Sequence, residues 1–325
     1  MNGNEMYNLK YKNLISNLII NNPDKEFLRG FSNFIGKAPC TIYNYLNYSI
    51  AFINYVGKNV TELDLDDYTS YLASIEDKSV SYKILAYSAL KCFSLYLKAS
   101  EKNIKNSMQY VSRPKFYETE ETKNKREIGY LDTREIHKLL KNIERGVGSH
   151  KAKARQKDWI NRDKAIIVLL LTTGIRCSAL YKLDIDNIDL NNRTLSVLDK
   201  GNKYRKFELS MDVINILLDW LNDRERMLEG KKESALFISN ERTRITQQSI
   251  ARIVGKYSEN IEGKNITPHK LRATYGTQLY NKTGDLYMVQ ECMGHSSPKT
   301  TELYIRGKRN EFAKTAAEIM DKIIF

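Results

Sequence analysis

Prolines, cysteines and long apolar runs are all scarce in this sequence, and each scarcity removes a class of structure. Only five prolines interrupt 325 residues, so long stretches are free to be helical, since proline lacks the N–H and clashes inside a helix. The four cysteines, Cys40, Cys92, Cys177 and Cys292, are scattered with no Cys-x-x-Cys pair. Neither a disulfide framework nor a zinc site is expected from them, and they read as reduced and mostly structural. The longest purely apolar run, Ala165 to Leu171, falls far short of the roughly 20 residues that span a bilayer. The first residues, MNGNEMYNLKYKNL, lack the apolar stretch of a secretory signal. A soluble, cytoplasmic protein without a membrane partner is therefore expected. Acidic residues are also short, 39 against 52 lysines and arginines, and the net charge of +13 favours a polyanionic partner.

What is present is a helical pattern with one interruption. Apolar residues recur at three- and four-residue spacing over about 24–36, 41–57, 61–75 and 79–99, which predicts four amphipathic helices. The second presents Ile42, Tyr45, Leu46, Ile53 and Val56, and the fourth presents Ile84, Tyr87, Leu90, Cys92, Leu95 and Tyr96. Much of the 21-tyrosine content falls here; these rings either fill a core with wet tips or bury the ring while the hydroxyl reaches a phosphate. Residues 1–23 read as an N-terminal extension, 24–111 as a helical domain, and SRPKFYETEETKNKRE, 112–127, as a charged linker.

A second domain, 128–325, opens with a helix that Asp132 or Thr133 can cap, with Glu135 in its first turn. The basic segment that follows carries Lys151, Lys153, Arg155, Lys157, Arg162 and Lys164, and is either a solvated loop or a loop that tracks phosphates. The stretch IDNIDLNNRTLSVLDKGNKYRKFELS alternates apolar and polar residues and breaks at Asn191-Asn192 and at Asp199 to Asn202. It predicts a small three-stranded antiparallel sheet. Helices resume at Asp212. The expected fold is mainly α, with an N-terminal helical domain and a C-terminal mixed α/β domain holding that sheet.

Four local features carry chemistry. In LLLTTGIRCSALYKL an apolar helix closes at Gly174, and Arg176 follows on a tight corner, with Ser178 a candidate cap for the next helix. An arginine on such a corner meets either a structural acid or an anion such as phosphate. Lys200 lies in the hairpin turn, and by itself reads as a solvated tip. In ITPHKLRATYGTQLY, Thr267 caps a helix with Pro268 at its first position, and His269 and Arg272 share one face near the N-terminus, a ready phosphate clamp. In DLYMVQECMGHSSPKTTELYIRG a helix from about Asp285 closes at Gly294, His295 follows it, and Tyr304 sits on a short helix beyond Ser297-Pro298. Alone, that tyrosine reads as a packing residue.

In their joint order these segments resemble the tyrosine recombinases, also called the phage integrase family, of integrase or Xer type. TTGIRCSAL is similar to the family's first-arginine box, DKGNKYR to its hairpin lysine, TPHKLRAT to its His-x-x-Arg box and MGHSSPKTTELYIR to its final box. The likeness covers the region from about Tyr130 onward and, more weakly, the helical domain, which resembles the family's core-binding domain. Ala179 and Ala273 stand where the family often has an acidic residue and a histidine. The basic segment is also longer than its counterpart in compact members.

The resemblance implies a catalytic set of Arg176, Lys200, His269, Arg272, His295 and Tyr304. Tyr304 would attack a phosphodiester to give a 3′-phosphotyrosyl bond, Arg176 and Arg272 would hold the nonbridging oxygens, and Lys200 would protonate the leaving oxygen. His295 would add a hydrogen bond and His269 would assist proton transfer. No cofactor or metal is implied, since bond energy is conserved. The implied partner is double-stranded DNA with an inverted-repeat core site, gripped by both domains, with contacts from Lys151, Lys153, Arg155, Lys157, Lys203 and Arg205. The assembly would be a homotetramer on DNA, weakly associated or monomeric when free, with residues 311–325 as a C-terminal docking helix. A nucleoid-associated enzyme of a mobile element is the favoured reading. The alternatives are an Xer-like chromosome or plasmid resolvase, a type IB topoisomerase-like enzyme, and an inactive DNA-binding regulator.

Overall fold

Aromatic rings at helical spacing build the first of two units into which contacts divide the chain, Gly3–Glu118 and Thr119–Phe325. The computed structural model describes residues 3–22, 24–103, 105, 107–115, 130–199, 203–261 and 265–294. The first unit contains α1 (Gly3–Ile20), α2 (Lys25–Ile35), α3 (Pro39–Val56), α4 (Leu65–Ser74) and α5 (Val80–Ala99). Pro39 opens α3 at a position where its missing N–H costs nothing. Helix α4 begins later than its apolar pattern predicts, because Asp64 and Asp67 form a reciprocal capping box that fixes the start at Leu65.

Phe31, Phe52, Phe93 and Tyr68 are fully buried. Phe52 stacks on Tyr68 at 4.6 Å and Phe31 meets Phe93 edge-on at 5.3 Å, geometries that add to the area each ring buries. Tyr45, Tyr71 and Tyr87 are buried as well, and the Tyr87 hydroxyl donates to the Val111 carbonyl at 3.0 Å. These tyrosines are core residues.

Two expectations for this unit need correction. Residues 3–20, read as part of an extension, form a helix whose Ile15 and Ile19 enter the core and which packs on α3. Leu95, placed on the apolar face of α5, is exposed; the buried stripe runs through Ala86, Leu90, Phe93 and Leu97.

The second unit contains α6 (Thr133–Arg145), α7 (His150–Lys157), α8 (Ile160–Thr173), α9 (Cys177–Leu180), β1 (Ile188–Asp189), β2 (Thr194–Asp199), β3 (Lys203–Glu208), α10 (Met211–Leu228), α11 (Gln247–Ser258), α12 (Pro268–Thr283) and α13 (Leu286–Met293). The sheet is antiparallel in the order β1-β2-β3, with Leu195 opposite Phe207 and Val197 opposite Arg205. The expected mainly helical architecture with a small three-stranded sheet is thus present.

Helix α8 is buried from Ala165 through Leu170, as expected of a helix apolar on all sides. It packs against α6, α10, α11 and α12. Its first turn is rooted by Asp163, fully buried. One carboxylate oxygen accepts from Arg162 Nε at 3.0 Å and Nη2 at 2.8 Å, the other from Lys256 Nζ and the Tyr257 hydroxyl, both at 2.9 Å. At the far end of the same helix stands the Arg176 corner.

The basic segment is a helix, not the loop expected from its charge. Ser149 caps α7, and Gln156, buried, receives the Val147 N–H and donates to the Val147 carbonyl at 2.8 Å. One amide therefore anchors an element with almost no apolar surface. Burial pushes the Cys177 thiol up to about 11 and raises that of Cys92, in keeping with structural cysteines.

Candidate active site

Helix ends bring the site together. Helix α8 stops at Gly174, whose φ of +60° is the left-handed conformation a helix C-terminus favours. A Cβ there would lie 2.4 Å from the Tyr275 ring, so glycine is required by space as well as by conformation. Arg176 follows two residues on. It is itself the cap of α9, its carbonyl accepting from Ala179 and Leu180 N–H at 2.9 Å. Ser178, expected in that role, lies within the helix and is exposed.

Helix α12 begins as the sequence predicts: the Thr267 hydroxyl accepts from Lys270 N–H at 3.3 Å, and Pro268 is its first residue. The segment is fastened to the start of the unit by Leu131, whose N–H reaches the Thr274 hydroxyl and whose carbonyl receives Gln278, both at 2.9 Å. One turn in, Arg272 is buried, with 3% of its surface exposed. Its guanidinium donates to the carbonyls of Gly174 and Met293, tying the end of α8 to the end of α13. Arg176, half-buried, donates through Nη2 to the Gly294 carbonyl at 3.4 Å.

His269 stands at the open edge of this group. Desolvation by its neighbours, then the charges of Arg272 and Arg176, lower its pKa below the ordinary 6.5, so the imidazole is neutral and able to accept a proton near pH 7. Burial and the adjacent Cys292 thiol push the Tyr275 hydroxyl up to about 12. Two guanidiniums and a neutral imidazole converge at the N-terminus of α12, a constellation suited to a phosphate carrying charge on its nonbridging oxygens.

The structure therefore brings together three of the six residues of the implied set, Arg176, His269 and Arg272. Lys200, His295 and Tyr304 lie outside the described residues, as do the docking helix 311–325 and most of the 112–127 linker. Among the proposed DNA contacts, Lys151, Lys153, Arg155 and Lys157 are exposed on α7, at the opposite end of α8 from Arg176. Helix α8 has 14 residues, a span of about 21 Å. Lys203 opens β3, and its side chain is also outside the described residues.

Arg205, read from sequence as a DNA contact, points to the inner face of the sheet. Its guanidinium lies 4.7 Å from the Phe207 ring centroid and donates to the Cys292 carbonyl and, at 3.5 Å, to that of Glu291. Its alternation with Phe207 and Leu209 was the available signal, because all three fall on one face of a strand of period two. Among the described residues no group of three or more histidine, cysteine or acidic side chains is disposed to hold a metal ion, and no helix is long and apolar enough to cross a membrane.

Residues 129–311 match the Phage integrase family. The chain belongs to that family, the tyrosine recombinases. Tyrosine recombinase XerC of Caldanaerobacter subterraneus subsp. tengcongensis is 30% identical over 310 residues, covering 86% of this chain and 81% of the relative. XerC of Corynebacterium efficiens is 37% identical over 172 residues, and there the match spans 53% of this chain and about half, 55%, of the relative. Among solved structures, XerH site-specific recombinase bound to difH substrate, in a pre-cleavage complex, has a TM-score of 0.66 at 24% identity, covering 86% of this chain and 80% of that one. At that identity the likeness is one of fold.

Proposed function

We propose that this chain is a site-specific DNA recombinase that cleaves and rejoins duplex DNA through a covalent 3′-phosphotyrosyl link to Tyr304. The observation that carries the reading is the Arg176–Arg272 pair, fixed to backbone carbonyls at the ends of α8 and α13 with neutral His269 beside it. Such a pair is preorganised for the charge that gathers on a phosphoryl group in transfer. Tyr304 attacks phosphorus, the 5′-oxygen leaves with a proton from Lys200, and His295 donates a hydrogen bond to a nonbridging oxygen. The new ester retains the energy of the old one, so religation needs no nucleotide. His269 takes up or positions the proton that the tyrosine loses.

The substrate is double-stranded DNA with an inverted-repeat core site, held by both units with the 112–127 segment as linker. Strand exchange between two such sites calls for a homotetramer, and residues 311–325 are its docking helix. The exposed cations of α7, Lys151, Lys153, Arg155 and Lys157, contact phosphates outside the cleavage site. The fold likeness to a site-specific recombinase solved with its difH substrate is in keeping with this reading. We place the activity with a mobile element. A second reading, an Xer-like chromosome or plasmid resolvase, is in keeping with the relatives named XerC.

The test is Tyr304→Phe on nicked duplexes drawn from DNA that flanks the gene. The wild type forms a covalent protein–DNA adduct and the variant binds equally but forms none. Adduct in undiminished yield from the variant assigns the nucleophile elsewhere and defeats the reading.

A further inference from the structure

The last carbonyls of an α-helix have no partner within the helix and carry the negative end of its dipole. At the end of α13 they are met in series by guanidiniums from three different elements. Arg205 of β3 takes the carbonyls of Glu291 and Cys292, Arg272 of α12 takes Met293, and Arg176 beyond α8 takes Gly294. The fit is close. A Cβ on Gly294, itself left-handed at φ +60°, would lie 2.9 Å from Arg205 Nη1. Two of these guanidiniums form the pair on which the proposed chemistry depends. The third is turned to the inner face of the sheet, stacked on Phe207.

We propose that Arg205 is a positioning residue: by holding the C-terminus of α13 it sets the carbonyls that orient Arg176 and Arg272, and it is not itself a DNA contact. The physical reason lies in where each cation is anchored. Arg272 is tied to the carbonyls of Gly174 and Met293, so displacement of the α13 end takes the second of these away. Arg176 is fixed to Gly294 at 3.4 Å, and the same displacement takes that carbonyl away. Removing Arg205 also leaves the Cys292 carbonyl without that donor. Helix α13 has eight residues and buries only Val289 and Met293, so its own packing resists that displacement weakly.

The proposal rests on the recombinase reading for its functional arm only. In single-turnover cleavage of a nicked duplex by the full-length protein, Arg205→Ala should be slower by on the order of 100-fold, the scale of a small misplacement of catalytic groups. DNA affinity should stay within about twofold, because no phosphate contact is lost. On a duplex whose scissile phosphate is a methylphosphonate, a nonbridging oxygen and its charge are absent, and the gap between wild type and variant should shrink below about tenfold. Arg205→Lys, which keeps a cation at the helix end, should recover part of the rate.

A structural arm is independent of activity. Hydrogen exchange of the free protein should accelerate across 286–294 in Arg205→Ala while α8 stays protected. Equal rate loss on phosphate and methylphosphonate, a defect accounted for by weaker DNA binding, or unchanged exchange at 286–294 would each overturn the proposal. If exchange rises everywhere, the alanine variant is unfolded and the lysine variant carries the same comparisons. If the wild type forms no adduct on any flanking DNA, the recombinase reading fails while the exchange arm still decides whether Arg205 holds α13.

Discussion

Among the described residues, the first unit packs Phe31, Phe52, Phe93 and Tyr68 together and buries one charged side chain, Asp67. The second buries Arg162, Asp163, Arg224, Arg244 and Arg272 inside an aliphatic core. Asp67 is answered by Lys58 at 2.7 Å. The buried arginines are answered by carboxylates and backbone carbonyls: Arg162 by Asp163 at 2.8 Å and the Ile238 carbonyl at 3.0 Å, Arg244 by Asp184 and the Leu183 carbonyl at 3.0 Å, Arg224 by the Ala235 carbonyl at 2.9 Å and Arg272 by the Gly174 carbonyl. A buried ion is a poor source of stability in itself, but an incomplete set of partners is expensive. Rings give the first unit a core held by burial and ring contacts, which are not directional in the way hydrogen bonds are. Forked donors on fixed carbonyls and carboxylates add directional bonds inside the second, and the site arginines are a continuation of that construction.

The largest effect should come from breaking that construction at its root. Asp163→Ala removes both oxygens shared by Arg162, Lys256 and Tyr257, leaving a buried guanidinium uncompensated, and should cost about 3–5 kcal/mol. Both tryptophans, Trp159 and Trp220, lie in the second unit, so urea unfolding followed by tryptophan fluorescence reads that unit alone. A loss below about 1 kcal/mol would mean that the cluster is dispensable and the contrast between the units is one of composition only.

The polar counterpart in the first unit should matter less. Asn103 is buried and donates to the carbonyls of Leu63 at 2.7 Å and Val60 at 3.2 Å. Asn103→Ala leaves neutral acceptors unpaired, not charges, and should cost about 1–3 kcal/mol. That change should appear in the helical ellipticity of the first unit and leave the tryptophan transition where it was. An effect on both transitions would show that the units do not unfold separately.

The same contrast explains what could be read in the sequence. Helices held by periodic apolar residues were legible: 24–36 and 79–99 correspond to Lys25–Ile35 and Val80–Ala99. Helix α1 was not, because two buried isoleucines in 18 residues make no stripe. Helix α7 was missed for a related reason, being held by the Gln156 amide on Val147, an interaction with no period. In the site, Thr267, Pro268, Asp285 and Gly294 announced the helix ends, and these ends carry Arg272 and the α13 carbonyls. Arg205 was assigned to DNA because charge is read as exposure. Its inward register was visible beside Phe207, but a cation aimed at the end of a distant helix depends on tertiary contacts that local sequence does not encode.

The smallest effect expected is one of pH, and it separates the units by composition. All four histidines, His137, His150, His269 and His295, follow the first unit. His269 is the described one whose pKa is displaced, downward from 6.5, by desolvation and then by Arg272 and Arg176. Its place in the first turn of α12 acts in the same direction, since a helix N-terminus disfavours a positive charge. A lowered folded pKa means that the unfolded chain binds a proton the folded chain refuses, so stability falls as pH drops through the unfolded value and returns as pH rises. Between about pH 7.5 and 5.5 the tryptophan-detected stability of the second unit should therefore decline, and His269→Gln should flatten that decline. The first unit, without histidine, should be nearly level over the same range. Proton NMR of the His269 ring should titrate below 6.5 in the wild type and move back toward it in Arg176→Ala, which removes one of the two repelling charges. Parallel pH curves for wild type and His269→Gln, or a ring that titrates unchanged when Arg176 is gone, would show that the imidazole does not sense the arginine pair, and would remove the basis for a neutral histidine poised beside it.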